Sequence, residues 1–162
     1  MGHDCDEGNG APAFVLRPGD ARVIPVGPFD VRIHADGPAT DRAYSLIETV
    51  DPTAGLGPPL HIHHDCAESF YVISGAYRMH VDGEDFDCPA GSFVFVPRGT
   101  VHTFQSSEPD SRKLNLYTPA GMVGYFDELA EAITAGASES DLDAISGRFD
   151  MEVVGPVPEG YL

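Results

Sequence analysis

Residues 55–75, GLGPPLHIHHDCAESFYVISG, constrain this chain more than any other stretch. His61, His63 and Glu68 lie close together there, with His64 beside them. Side chains on a strand alternate between faces, so His61 and His63 share one face and Ile62 takes the other. Residues 64–67, HDCA, are polar enough for a short turn. Glu68 then opens a second run and shares a face with Phe70 and Val72. Two imidazoles and a carboxylate on neighbouring strands converge on one interior point, and these are ligand types for a first-row metal. Downstream, residues 91–105, GSFVFVPRGTVHTFQ, read as a strand, a Pro-Arg-Gly turn and a strand carrying His102. The turn brings His102 back to the same interior as a fourth ligand. His64, by alternation, belongs to the opposite face.

At this point the residues carry a family resemblance. The first stretch resembles the first cupin motif, with Gly55, His61, His63, Glu68 and Gly75 in register. The second is similar to the second cupin motif, matched at Gly91, Pro97, Gly99 and His102. Ser106 stands where that motif has Asn, which is not a ligand in the family, so the departure touches a turn more than the chemistry. TPAG from Thr118 and VVGP near the end resemble single-domain, quercetin-dioxygenase-like bacterial cupins. The resemblance implies an all-β fold, a double-stranded β-helix or jelly-roll barrel, with one or two short C-terminal helices. It also implies a metal-dependent oxidoreductase of dioxygenase type, in which a substrate enolate or phenolate binds the metal and meets dioxygen. Glu68 would then be both ligand and catalytic base. A metal lowers the pKa of a bound hydroxyl, and a nearby carboxylate takes its proton. The same fold hosts isomerases, cyclases, lyases and non-catalytic binding modules, and the motifs do not separate these.

The ligand set His61, His63, Glu68 and His102 suits one divalent first-row ion per chain, whether Fe, Mn, Ni, Cu or Zn. Four protein ligands leave open positions on an octahedral ion for a small-molecule substrate or dioxygen. Phe70, Val72, Met79, Phe104 and one of Phe93 and Val94 are expected to face inward, either lining an apolar pocket for a flat substrate or simply packing the core. Cys66 lies between presumed ligands; a thiolate ligand or redox sensor is one reading, and a turn residue facing away from the site is the favoured one. Cys5, with His3, could hold adventitious metal. The three cysteines show no close pairing and fit reduced thiols.

Charge narrows the partners. The formal net charge is −17, from 26 acidic against 9 basic residues. A nucleic-acid binder needs a basic footprint, and none is visible. Anionic membranes should repel the chain, and no apolar run approaches the ~18 residues needed to span a bilayer. The N-terminus lacks the charged and apolar regions of a signal peptide, so a cytoplasmic protein is expected.

The 162 residues suit one domain. Residues 1–12 read as a disordered tail, 13–120 as the barrel, and 121–162 as helices and an extended tail packed on it. Roughly ten short strands are expected, including one over residues 43–50 and a hairpin turning at Asp82-Gly83. His34 and His80 read as solvent-facing strand histidines. Val123, Phe126, Leu129, Ala130 and Ile133 recur at helical spacing, and Gly136 ends that helix. Ser138 and Asp141 look like a capping box opening a helix over residues 139–146. The Val-rich run over residues 21–26 is a candidate edge strand for pairing with a second copy, giving a homodimer.

Overall fold

The computed structural model describes residues 10–156. Most of the tail expected to be disordered, including Cys5 and His3, lies outside the described residues. Ala11 is tied down, its N–H donating to Asp41 Oδ2 at 2.6 Å.

Eleven strands follow: β1 Arg22–Val26, β2 Phe29–Ala35, β3 Ser45–Asp51, β4 Leu60–His63, β5 Ala67–Ser74, β6 Ala76–Val81, β7 Glu84–Pro89, β8 Phe93–Val96, β9 His102–Ser106, β10 Ser111–Thr118 and β11 Met151–Gly155. Helices α1 Val123–Thr134 and α2 Glu139–Arg148 lie between the last two. The strands form two antiparallel sheets, one of six in the order β1-β2-β3-β10-β5-β8 and one of five in the order β11-β4-β9-β6-β7. From β3 onward the chain passes repeatedly between the sheets, which is the all-β jelly roll. β1 occupies one edge of the larger sheet.

Local chemistry explains the crossings. β6 and β7 are joined by Asp82 (φ 52°) and Gly83 (φ 85°), both left-handed, as a two-residue hairpin of twisted strands requires. Ser138 Oγ accepts from the Asp141 N–H and Asp141 Oδ2 accepts from the Ser138 N–H, so the expected capping box opens α2. The expected strand over residues 43–50 begins at Ser45 and turns Ser45 and Ile47 inward, leaving Tyr44 exposed.

The interior divides into two apolar clusters. One gathers Val26, Val31, Ile47, Cys66, Tyr117 and Met151 beneath α1, which contributes Val123 and Phe126. The other holds Phe70, Val72, Tyr77, Met79, Cys88 and Val96. Near the start of β5, Glu68 falls between them, with Cys66, just ahead of the strand, in the first and Phe70 in the second. Val94 packs against the second cluster while Phe93 is 65% exposed, which answers which of the two faces in. Among the described residues no helix is long and apolar enough to cross a membrane.

The segment ahead of β4 is stitched to β9. Gly55 N–H donates to Ser106 O at 2.7 Å, Ser106 N–H to Leu56 O at 2.9 Å, and Thr103 Oγ1 to Pro58 O at 2.5 Å. Ser106 Oγ adds bonds to Thr53 O and from the Leu56 N–H, so the serine that departs from the motif holds this turn. Gly57 lies so close to β9 that an added Cβ would sit 1.8 Å from Phe104 O. Backbone must move to admit it, and overpacking of this kind costs about 1–3 kcal/mol or more. Gly57→Ala should therefore lose at least ~2 kcal/mol in urea unfolding; a change below ~0.5 kcal/mol, the range of neutral surface substitutions, would contradict the close approach.

Candidate metal centre

The four expected ligands come together, and they do so across the two sheets. β4 supplies His61 and His63 and β9 supplies His102, all from the five-stranded sheet; β5 supplies Glu68 from the six-stranded sheet. His61 and His102 are directly opposed partners, with ring centroids 4.3 Å apart. One ligand atom from each of the four residues lies within 4.8 Å of the others. All four are 2–3% exposed, so the cluster is enclosed by protein.

The tautomers are set by the backbone. His61 Nδ1 lies 2.8 Å from Pro59 O and His102 Nδ1 lies 2.9 Å from Thr100 O. A carbonyl only accepts, so each Nδ1 carries the proton and each Nε2 offers a lone pair to the interior. Glu68 Oε2 is 3.1 Å from His102 Nε2 and 3.2 Å from His63 Nε2. Ligand atoms ~2.1 Å from a common metal are about 3.0 Å apart when cis in an octahedron and about 3.4 Å in a tetrahedron, so these spacings fit either. His63 Nδ1 has no hydrogen-bond partner among the described residues. Its ring meets Tyr117 edge-on at 5.7 Å.

Electrostatics keep His61 and Glu68 in their metal-binding protonation states. Burial, with His102 and His63 beside it, pulls the His61 imidazole down to about 3. Desolvation alone would raise the Glu68 carboxyl, but its close contacts with the His102 and His63 rings outweigh it and hold it well below the usual carboxylate range. Neutral imidazoles and an ionised carboxylate are the forms that bind a divalent cation.

Neighbouring candidates fall away from this point. His64 is exposed, and its Nε2 lies 2.8 Å from Glu152 Oε2. Cys66 packs in the cluster beneath α1, outside the four. Burial, with the Glu68 charge next in weight, pushes its thiol up to about 12. His34 is not the exposed histidine expected: it is half-buried, with Nε2 3.1 Å from Glu48 Oε2. Arg112 and Arg32 complete that cluster, because Glu48 is buried on the outer face and needs the charges. His80 is likewise partly covered, with Nδ1 2.6 Å from Asp85 Oδ1. Phe70, Val72 and Met79 are buried against one another, and a surface groove of about 700 Å³ beside His34 and Leu114 carries none of the four ligands.

Sequence reasoning missed the inner face of β10. Its outward residues are Leu114 and Leu116, while Ser111, Lys113, Asn115 and Tyr117 are buried inside. Asn115 Nδ2 donates to Glu68 Oε1 at 2.7 Å, and Asn115 Oδ1 has no partner among the described residues. Lys113 Nζ donates to Thr49 Oγ1 at 2.5 Å and sits 3.9 Å from the centroid of the Phe104 ring. Burial lowers its amine to about 8, with Asp51 and Glu68 opposing. The alternation in SRKLNLYT was the available signal, but it favours Leu114 and Leu116 for the core, and the structure reverses it.

Residues 46–114 match the family model of the cupin domain. Quercetin 2,3-dioxygenase of Aspergillus japonicus is 30% identical over 112 residues, covering 65% of this chain and 32% of that protein. Quercetin 2,3-dioxygenase of Bacillus subtilis is 29% identical over 114 residues, covering 69% of this chain and 33% of that protein. The chain thus spans about a third of the length of these curated relatives. The solved structure of KdgF from Halomonas sp. superposes with a TM-score of 0.59 at 20% identity, over 67% of this chain and 94% of that one, a likeness of fold.

The two adjacent histidines separate the site from its surroundings. His63→Ala should lose most of the bound divalent metal measured by elemental analysis, whereas His64→Ala should retain nearly all of it. Equal losses would mean that His64 also holds the ion.

Proposed function

The chain belongs to the cupin superfamily, and on that premise we propose that it is a metal-dependent dioxygenase-like oxidoreductase acting on a small phenolic or enolic metabolite. The observation that carries the reading is Glu68 Oε2 lying 3.1 and 3.2 Å from two buried imidazoles of the facing sheet, with His61 beside them. His61, His63, Glu68 and His102 would hold one divalent first-row ion. Such an ion supplies Lewis acidity, which lowers the pKa of a hydroxyl oxygen bound to it.

The chain's own residues do the rest. Pro59 O and Thr100 O fix two of the imidazoles, so their Nε2 atoms stay aimed at one point. Enclosure of all four side chains keeps bulk water from competing for the site. Glu68 is the carboxylate of the set and the group that can accept a proton from an enolic or phenolic hydroxyl. The names of the two quercetin 2,3-dioxygenases support oxygen chemistry over isomerisation or elimination on the same scaffold.

Oxygen dependence tests the reading. Metal-loaded protein given quercetin or a related flavonol should consume dissolved oxygen in step with substrate loss, and removal of oxygen should stop turnover. Turnover that continues without oxygen would overturn the oxygenase and leave a metal-dependent isomerase, cyclase or lyase. Glu68→Gln, compared per bound metal ion, should be slower by about 10²-fold or more if Glu68 is the base; a rate within a few-fold of the parent would leave it a ligand only.

A further inference from the structure

We propose that Asn115 is a positioning residue that makes Glu68 a one-oxygen ligand, presenting Oε2 to the metal position and withholding Oε1. The inference rests on the reading that His61, His63, Glu68 and His102 hold a divalent ion. The two carboxylate oxygens of Glu68 have different neighbours. Oε2 faces His102 Nε2 at 3.1 Å and His63 Nε2 at 3.2 Å. Oε1 faces the other way and accepts from Asn115 Nδ2 at 2.7 Å.

An ionised carboxylate only accepts, so the amide must turn Nδ2 and not Oδ1 toward it. That leaves Asn115 Oδ1 buried, in a side chain 2% exposed, with no partner among the described residues. An unmatched buried carbonyl is costly. A leucine would pack beside Phe70, its cross-strand partner, without that cost. The amide is therefore placed for the carboxylate and not for its own hydrogen-bond balance.

β10 gives the grip its rigidity. Tyr117 is the direct cross-strand partner of Glu68, and its hydroxyl lies 3.5 Å from Asn115 Nδ2. With Oε1 held, the carboxylate does not rotate to bring both oxygens onto one ion. One coordination position that a two-oxygen carboxylate would fill stays available to a ligand from outside the protein. Outer groups of this kind orient metal ligands, and their loss typically lowers affinity 10–100-fold.

Cobalt(II) alone is the probe, because its visible bands report coordination number and geometry directly. Asn115→Leu, and the milder Asn115→Ser, should bind Co(II) about 10–100-fold more weakly in chelator competition. Their visible bands should shift and weaken, as expected when Glu68 turns a second oxygen to the ion. A folded variant with the parent spectrum and an affinity within about threefold, well short of the usual loss, would overturn the proposal. Failure of the unaltered protein to bind Co(II) would instead overturn the four-residue reading, and the proposal with it.

The unaltered protein offers a measurement that needs no variant. Its sequence has two asparagines, Asn9 and Asn115. With Zn(II) bound and asparagine labelled with nitrogen-15, one side-chain amide should exchange its protons with deuterated water far more slowly than the other. Fast exchange of both would contradict a held Asn115.

Discussion

The structure depends on a carboxylate reaching from one sheet toward three imidazoles on the other. Glu68 belongs to β5 of the larger sheet, and His61, His63 and His102 to β4 and β9 of the smaller one. Burying an ionised carboxylate is expensive unless charge or hydrogen bonds answer it. Asn115 Nδ2 answers it in part at Oε1, and a divalent cation held with the imidazoles would answer it more completely. The point lies between two apolar clusters, so a shift of either sheet would be felt at the four side chains.

The backbone around the site serves that alignment. β9 carries His102 and is stitched to the segment that delivers His61, through Ser106, Thr103 and the close pass of Gly57. Pro59 and Thr100 lie two residues before His61 and His102, and each offers its carbonyl to the Nδ1 of the histidine that follows. The same short segments therefore set both ring position and tautomer. Sequence spacing acquires a physical meaning in this way: His61 and His102 are each two positions from the carbonyl that orients them.

Much of this was legible in the sequence because the signals were local. Alternation around His61 and Glu68, the Asp82-Gly83 turn and the Ser138–Asp141 box each depend on residues within a few positions. What the sequence hid depends on neighbours distant along the chain. β10 places Lys113, Asn115 and Tyr117 inward because Glu68, Thr49 and Asp51 already occupy the interior they face. Its leucines consequently turn outward, against ordinary hydrophobic patterning. His34 is drawn in by Glu48, fourteen positions later, which a single-strand reading does not see. Whether the apolar residues around the site line a pocket or pack the core was also a non-local matter: they pack against one another.

X-ray absorption at the metal edge tests the central claim most directly. Protein loaded with one equivalent of a first-row divalent ion should give a first shell of nitrogen and oxygen at about 2.0–2.2 Å. Outer-shell scattering should count three imidazoles. A sulfur contribution at about 2.3 Å would bring Cys66 into the shell, and fewer than two imidazoles would break the convergence of β4 and β9; either result would contradict the account.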